Sequence, residues 1–268
     1  MKKIFKILGI SFLTCFSFYY TDKVVDISKS KDPIMIKIIE YSNENNIMAV
    51  SSVIKDNIQE AGNIGYSVDI EESYRKMKKI GKYDENLIVY EESYPDTTIK
   101  ENLDKYVVKS NTNKYLVSLI IIMEDNDNID NILGVLKDNE VNTTFFIKDV
   151  DEEVIKKISN LGHNIGIVTD VKNSLSVINK YNSLNTYCYT SSVDDNLLED
   201  CSKLKLNTIL KEKISKNVYH DIKENLGKGV IFAITNSNLN IRELDLSIKY
   251  IKQKGYNVID VDKLLNES

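Results

Sequence analysis

Residues 117–170, VSLIIIMEDNDNIDNILGVLKDNEVNTTFFIKDVDEEVIKKISNLGHNIGIVTD, read as strand, helix, strand, helix, strand. Val117 to Ile122 is a continuous apolar run rich in β-branched residues and is ended by a polar loop from Glu124. That is the pattern of a strand buried on both faces of a parallel sheet. Ile129, Ile132, Leu133 and Leu136 fall at i, i+3, i+4 and i+7, one stripe of a helix. Thr143 to Ile147 forms the second strand, and Val154, Ile158 and Leu161 a second helical stripe. Gly162 stands where a helix C-terminus favours a residue free to adopt positive φ, and Ile165 to Val168 is the third strand. Strands alternating with helices of this length imply parallel βαβ units with right-handed crossovers.

The alternation continues toward the C-terminus. A helix around Leu175 to Tyr181 precedes a strand at Thr186 to Tyr189, and a helix from Asp194 to Leu204 precedes one at Asn207 to Leu210. A polar helix near Val218 to Asn225 leads to a strand at Val230 to Ile234. The last helix carries Leu244, Ile248 and Ile251 on one face and ends at Gly255, before a strand at Tyr256 to Val261. About six or seven βα units predict an α/β fold, an irregular (β/α) barrel over residues 114–268. A doubly wound open sheet is the alternative.

Residues 22–113 have a different texture and are expected to form a small α+β region. Both prolines, Pro33 and Pro95, lie there. Strand-like stretches at Met48 to Ile54, Leu87 to Tyr90 and Tyr106 to Val108 outnumber helices. One helix is plain, with Ile70, Tyr74 and Met77 on a face and Gly81 at its end, after a turn marked by Gly62 and Gly65. The polar run Ser110 to Lys114 links the two regions.

Composition limits the function classes. The 268 residues are 42% hydrophobic and 28% charged, an ordinary globular mixture. A net charge of −5, with no basic stripe carrying interleaved aromatics, argues against nucleic acid as a partner. Residues 1–21 combine Lys2, Lys3 and Lys6 with an apolar run from Ile7 to Tyr20. The run is shorter than a comfortable span of ~20 residues and fits an export signal or an uncleaved membrane anchor, so membrane contact is expected only through this segment. Cys15 lacks the small preceding residues that lipid modification requires. Cys188 and Cys201 carry two readings, a disulfide in an oxidising compartment or two small buried apolar side chains.

Two ordered stretches carry a resemblance. ILGVLKDNEVNTTFFI followed by VIKKISNLGHNIGI, and the closing GVIFAITNSNLNIRELDLSIKYIKQKGYNVIDVDKLL, resemble the polysaccharide deacetylase (NodB-homology) family over roughly residues 115–265. The resemblance implies a distorted (β/α) barrel that removes acetyl groups from N-acetylated cell-surface sugars with a divalent metal. This chain keeps the scaffold motifs and departs from the family at the chemistry. Where the family has Thr-Phe-Asp-Asp-Gly, the ungapped match places Ile120, Ile121, Ile122, Met123 and Glu124; the metal histidines fall on Val168 and Lys172. The Arg-Pro-Pro-Tyr segment falls near Cys188, Tyr189 and Thr190, and Leu-x-His on Ala233, Ile234 and Thr235. The site tryptophan has no counterpart in a chain with no Trp.

The two histidines do not restore a metal site. His163 opens its strand, ~16 Å from the C-terminal end where barrel chemistry sits, and reads as a partly buried residue bonded to backbone. His220 reads as a surface residue of a polar helix. An oxygen-only site is the remaining route: Glu124, Asp125 and Asp127 follow the first strand and Asp170 the third, and hard cations accept carboxylates. The other reading of those acids is a solvated rim. Tyr187 and Tyr189 are candidate sugar-stacking residues at the barrel mouth, or else core packing. The sequence therefore predicts an exported, deacetylase-like protein of a bacterial cell envelope without catalysis, metal or other cofactor. It would act as a glycan-binding or protein-assembly module on the extracytoplasmic face. The alternative is an active carbohydrate N-deacetylase whose rebuilt site uses Glu124 or Asp125 with Asp170.

Overall fold

The computed structural model of the chain describes residues 28–182, 186–214, 216–237 and 239–267, with Phe16, Ser17, Tyr19 and Val24. Apart from Phe16, Ser17 and Tyr19, the expected signal or anchor at 1–21 lies outside these residues. No helix among the described residues is long and apolar enough to cross a membrane. In chain order the first elements are α1 (Pro33–Asn45), β1 (Val53–Lys55), β2 (Ile58–Ala61), β3 (Gly65–Val68), α2 (Ile70–Ile80), β4 (Tyr90–Ser93) and β5 (Tyr106–Ser110). Then come β6 (Leu116–Met123), α3 (Ile129–Asp138), β7 (Thr144–Ile147), α4 (Glu152–Asn160), β8 (Asn164–Ile167) and α5 (Val171–Ile178). The chain continues through β9 (Cys188–Thr190), α6 (Asp195–Lys203), β10 (Thr208–Leu210), β11 (Lys213–Ile214) and α7 (Val218–Asn225). It closes with β12 (Ile231–Thr235), α8 (Ile241–Gln253), β13 (Asn257–Val258) and α9 (Val261–Leu264).

Two compact units divide the described residues: those up to Met48 with Gly65–Ser93, and Ala49–Ile64 with Tyr94 onward. The division does not run at 113/114, because β1, β2 and β5 join the large sheet. In the first unit, α1 and α2 share a core of Ile34, Met35, Ile38, Tyr74 and Met77 with Val68 of β3. α1 begins at Pro33 because Asp32 caps it, its carboxylate accepting from the Ile34 N–H at 2.9 Å. α2 has the predicted face and stops at Gly81, which takes φ 70° and donates its N–H to the Met77 carbonyl. The strand expected at Leu87 to Tyr90 is instead a 3₁₀ turn, Glu85–Leu87, followed by β4, which pairs antiparallel with β3.

The second unit is built on one curled, half-barrel sheet. Its hydrogen-bonded order is β1-β2-β5-β10-β9-β8-β7-β6-β12-β11, with β13 beside the start of β6. Every neighbouring pair is parallel except β1 and β2. β6 explains why the sheet needs cover on both faces. Leu119, Ile121 and Met123 join the core under the helices with Ile132, Leu136, Leu244, Ile248 and Ile251. Ile120 and Ile122, on the opposite face of the pleat, pack with Phe146, Tyr189, Ile231 and Ala233, and with Val261 and Leu264 of α9. Each such side chain contributes about 1.5–3 kcal/mol by leaving water.

At one end the curl nearly closes. The Ser110 N–H donates to the Gly229 carbonyl at 2.9 Å, and Lys109 bridges Val230 across the seam between β5 and β12. Gly229 takes φ 72°, and a Cβ there would stand 1.9 Å from the Ser110 oxygen, so only glycine permits this approach. The strand expected over Tyr256 to Val261 is confined to β13, since Asp260 accepts from the Lys263 N–H and starts α9. Glu267 then reaches back, its carboxylate accepting from the Gly62 N–H at 2.5 Å and the Ile99 N–H at 2.7 Å; burial pushes this carboxyl up. Cys188 and Cys201 are bonded, tying β9 to α6 and deciding between the two readings of these cysteines.

Candidate functional site

Chemistry on a barrel of this kind is expected at the C-terminal ends of its strands, where loops converge. Register brings Met123, Ile147 and Ile167 side by side at the ends of β6, β7 and β8, and pairs Ile122 with Thr235 of β12. All five are buried. Ile122 and Met123 hold the two acid positions assigned by the resemblance, Val168 and Lys172 the two histidine positions, and Thr235 the late histidine. These residues do not fit a divalent cation. Two aliphatic groups and a thioether offer a hard or borderline ion almost nothing, one hydroxyl is a weak ligand, and a lysine repels it. Among the described residues, no group of three His, Cys, Asp or Glu side chains could hold a metal ion.

The loop after β6 is organised by a residue that the sequence reading passed over. Asn236, fully buried just beyond β12, accepts from the Glu124 N–H at 2.8 Å. Its amide donates to the Asp125 carbonyl at 2.9 Å, the Asp125 carboxylate at 2.8 Å and the Asp127 carbonyl at 3.1 Å. The Asp127 N–H adds a further bond to the same Asp125 oxygen. Asp125 is therefore occupied in holding its own loop. The available signal was a polar residue directly after an apolar strand, at the end where loops meet.

Glu124 is paired with Lys213 at 2.7 Å, and this ammonium holds its carboxyl below the usual range, a poor setting for a general base at neutral pH. Glu124 and Asp125 share a narrow cleft of 80 Å³ with Lys148, Asp149 and Asp151. Glu124 also lines a separate 760 Å³ cavity with Lys216, Asn217, Asn240 and Glu243. Asp170, at φ 44° before α5, opens on a third cleft of 340 Å³ with Lys172, Asp200 and Lys203. The structure brings Glu124 and Asp125 together and opens Asp170 on a different cleft.

Tyr187 and Tyr189, candidates for sugar stacking or for core packing, are packed in the core. Tyr187 precedes β9, at the opposite end from the mouth, and its buried phenol donates to Asp262 of α9 at 3.2 Å. Tyr189 is 2% exposed, packs 5.4 Å from the Phe146 ring and donates to the Lys211 carbonyl at 2.8 Å. Neither presents a free ring face to a cleft. His163 is buried as expected: its Nδ1 accepts from the Thr143 N–H at 3.3 Å, and desolvation lowers its pKa to about 4. His220 is exposed and pairs with Glu224 one helical turn on.

No protein-family model matches the chain. The uncharacterized protein YlxY of Bacillus subtilis is 29% identical over 149 residues, 53% of this chain, which spans 46% of that relative's length. A family 4 carbohydrate esterase pseudoenzyme from Bacillus anthracis overlays with a TM-score of 0.71 at 19% identity, covering 88% of this chain and 96% of that one. A mutant form, described as a pseudoenzyme with restored enzymatic activity, overlays equally at 0.71. Bacillus subtilis PdaA, a family 4 carbohydrate esterase, gives 0.53 at 20% identity over 65% of this chain and 92% of its own. The chain has the polysaccharide deacetylase fold of the family 4 carbohydrate esterases.

Proposed function

We propose that this is an exported, deacetylase-like protein of a bacterial cell envelope that does not catalyse deacetylation and serves as a glycan-binding or protein-assembly module. The observation that carries the reading is the apolar strand end: Ile122 and Met123 are buried, and the nearest acids are committed elsewhere, Glu124 to Lys213 and Asp125 to Asn236. Two further points support it. The Cys188–Cys201 disulfide suits an oxidising compartment outside the cytoplasm. The overlay with the pseudoenzyme extends over more of this chain than the overlay with PdaA, 88% against 65%.

Calorimetric titration of the full chain with Zn²⁺ and Mn²⁺, paired with acetate release from N-acetylglucosamine oligomers, tests the reading. The expected result is neither stoichiometric metal binding nor acetate release. Tight binding that is lost in Asp125→Ala, with acetate release in the wild type, would overturn it and establish the carboxylate-based deacetylase.

A further inference from the structure

The seam of the curled sheet leaves a second place where a ligand can enter. Between β5 and β10 on one side and β12 and α7 on the other lies a cavity of 880 Å³, a volume that accommodates a short saccharide. Val108, Leu210 and Val230 give it an aliphatic wall, and Ser191, Ser192 and the Asn225 amide give it hydroxyl and amide groups. This mixture suits a sugar ring, which offers C–H faces and hydroxyl edges.

Two carboxylates, Glu212 and Asp221, and two ammonium groups, Lys211 and Lys213, also line the cavity. Of the two cations Lys211 is the more buried and the one without an ion pair among the described residues. Its position is fixed through its backbone: the N–H donates to the Thr190 carbonyl at 3.1 Å, and the carbonyl accepts the Tyr189 phenol. Its ammonium is half-buried and makes no hydrogen bond or ion pair with any described residue, whereas Lys213 beside it is taken by Glu124 and Lys109 by Glu60. Burial lowers the Lys211 pKa; Glu212 partly offsets this by attraction and Lys109 adds to it by repulsion. A half-desolvated ammonium without a partner is costly, and an incoming anion removes that cost. One lysine without an arginine fork matches a single carboxylate better than a doubly charged phosphate.

We propose that the seam cavity is a binding site for a carboxylate-bearing sugar, with Lys211 receiving the carboxylate and Ser191, Ser192 and Asn225 the hydroxyls. The proposal rests on the glycan-binding reading and makes its ligand class specific. The test is calorimetric titration of the full chain with glucuronic acid and with glucose, for the wild type, Lys211→Met and Lys211→Arg, with a neutral N-acetylglucosamine tetramer as a separate arm. Glucuronic acid is expected to bind at least tenfold more tightly than glucose. Lys211→Met should abolish that preference, and Lys211→Arg should keep most of it, which also guards against a misfolded Met variant. Equal binding of the two monosaccharides by the wild type, or an unchanged preference in Lys211→Met, overturns the proposal. Tetramer binding alongside such a result leaves the glycan reading standing without this site, and failure of all three sugars removes both.

Discussion

The two ends of the large sheet are built by opposite rules. At the N-terminal end, polar side chains hold the elements together: His163 receives the Thr143 N–H, the Thr144 hydroxyl receives the Val261 N–H, and Tyr187 donates to Asp262. At the C-terminal end of β6 to β8, where this fold would place its chemistry, the side chains are Ile122, Met123, Ile147 and Ile167, all buried. The polar groups just beyond them hold a loop in shape through Asn236. The difference teaches that one sheet can be held by side-chain hydrogen bonds at one end and by apolar packing at the other.

If the C-terminal end is core, placing a carboxylate in it should be severe. Ile122→Asp places an unpaired charge among Phe146, Tyr189 and Ala233 and is expected to cost more than about 4 kcal/mol in urea unfolding, with no recovery of melting temperature on adding zinc. A variant of near-normal stability, or one stabilised by zinc, would show instead that the apolar end is a shallow substitution over a latent site.

A smaller effect sharpens the view of the N-terminal end. His163 is neutral in the fold with its pKa lowered to about 4, and in the unfolded chain it titrates near 6.5. Between those values the unfolded state binds the extra proton, so this contribution to stability is full above pH 6.5 and declines as pH falls toward 4, by at most about 3 kcal/mol. His163→Gln should show a correspondingly shallower loss over that window. Parallel curves for the two proteins would mean that His163 is not held neutral by burial.

The smallest of the three concerns the loop. Asn236→Ala removes four hydrogen bonds, but the freed groups of Glu124 to Asp127 lie in an exposed loop that water can reach. The expected cost is about 2 kcal/mol, with faster amide exchange at Glu124 and Asp127. Unchanged exchange would show that the loop keeps its shape without the asparagine.

Much of this was legible from periodicity. The βα series from Val117 onward is local in its signals, and a cap such as Gly81 acts within a few residues. What escaped was either misread or non-local. α1 was passed over because Pro33 was counted only as part of the region's texture, whereas behind Asp32 it is the first residue of a helix. β5 looked like part of a separate region, because its partner β10 comes about a hundred residues later and no local pattern announces that pairing. The tyrosines stayed open between stacking and core packing because alternation tells which side chains share a face of a strand and not which face lines a cleft. Asn236 could be picked out as a polar residue after an apolar strand, but its partners could not, since the clasp joins positions 111 and 112 residues apart.

The carboxylate of Glu267 touches backbone groups 205 and 168 residues earlier in the chain. A chain that emerges N-terminus first, from a ribosome or through a membrane, exposes β1, β2 and β5 before the segment that fastens them arrives. During that interval β5 also lacks β10, so the early strands wait with unpaired edges, the situation in which nascent chains associate wrongly. A handful of late residues thus governs how long the earliest strands of the sheet stay unfastened.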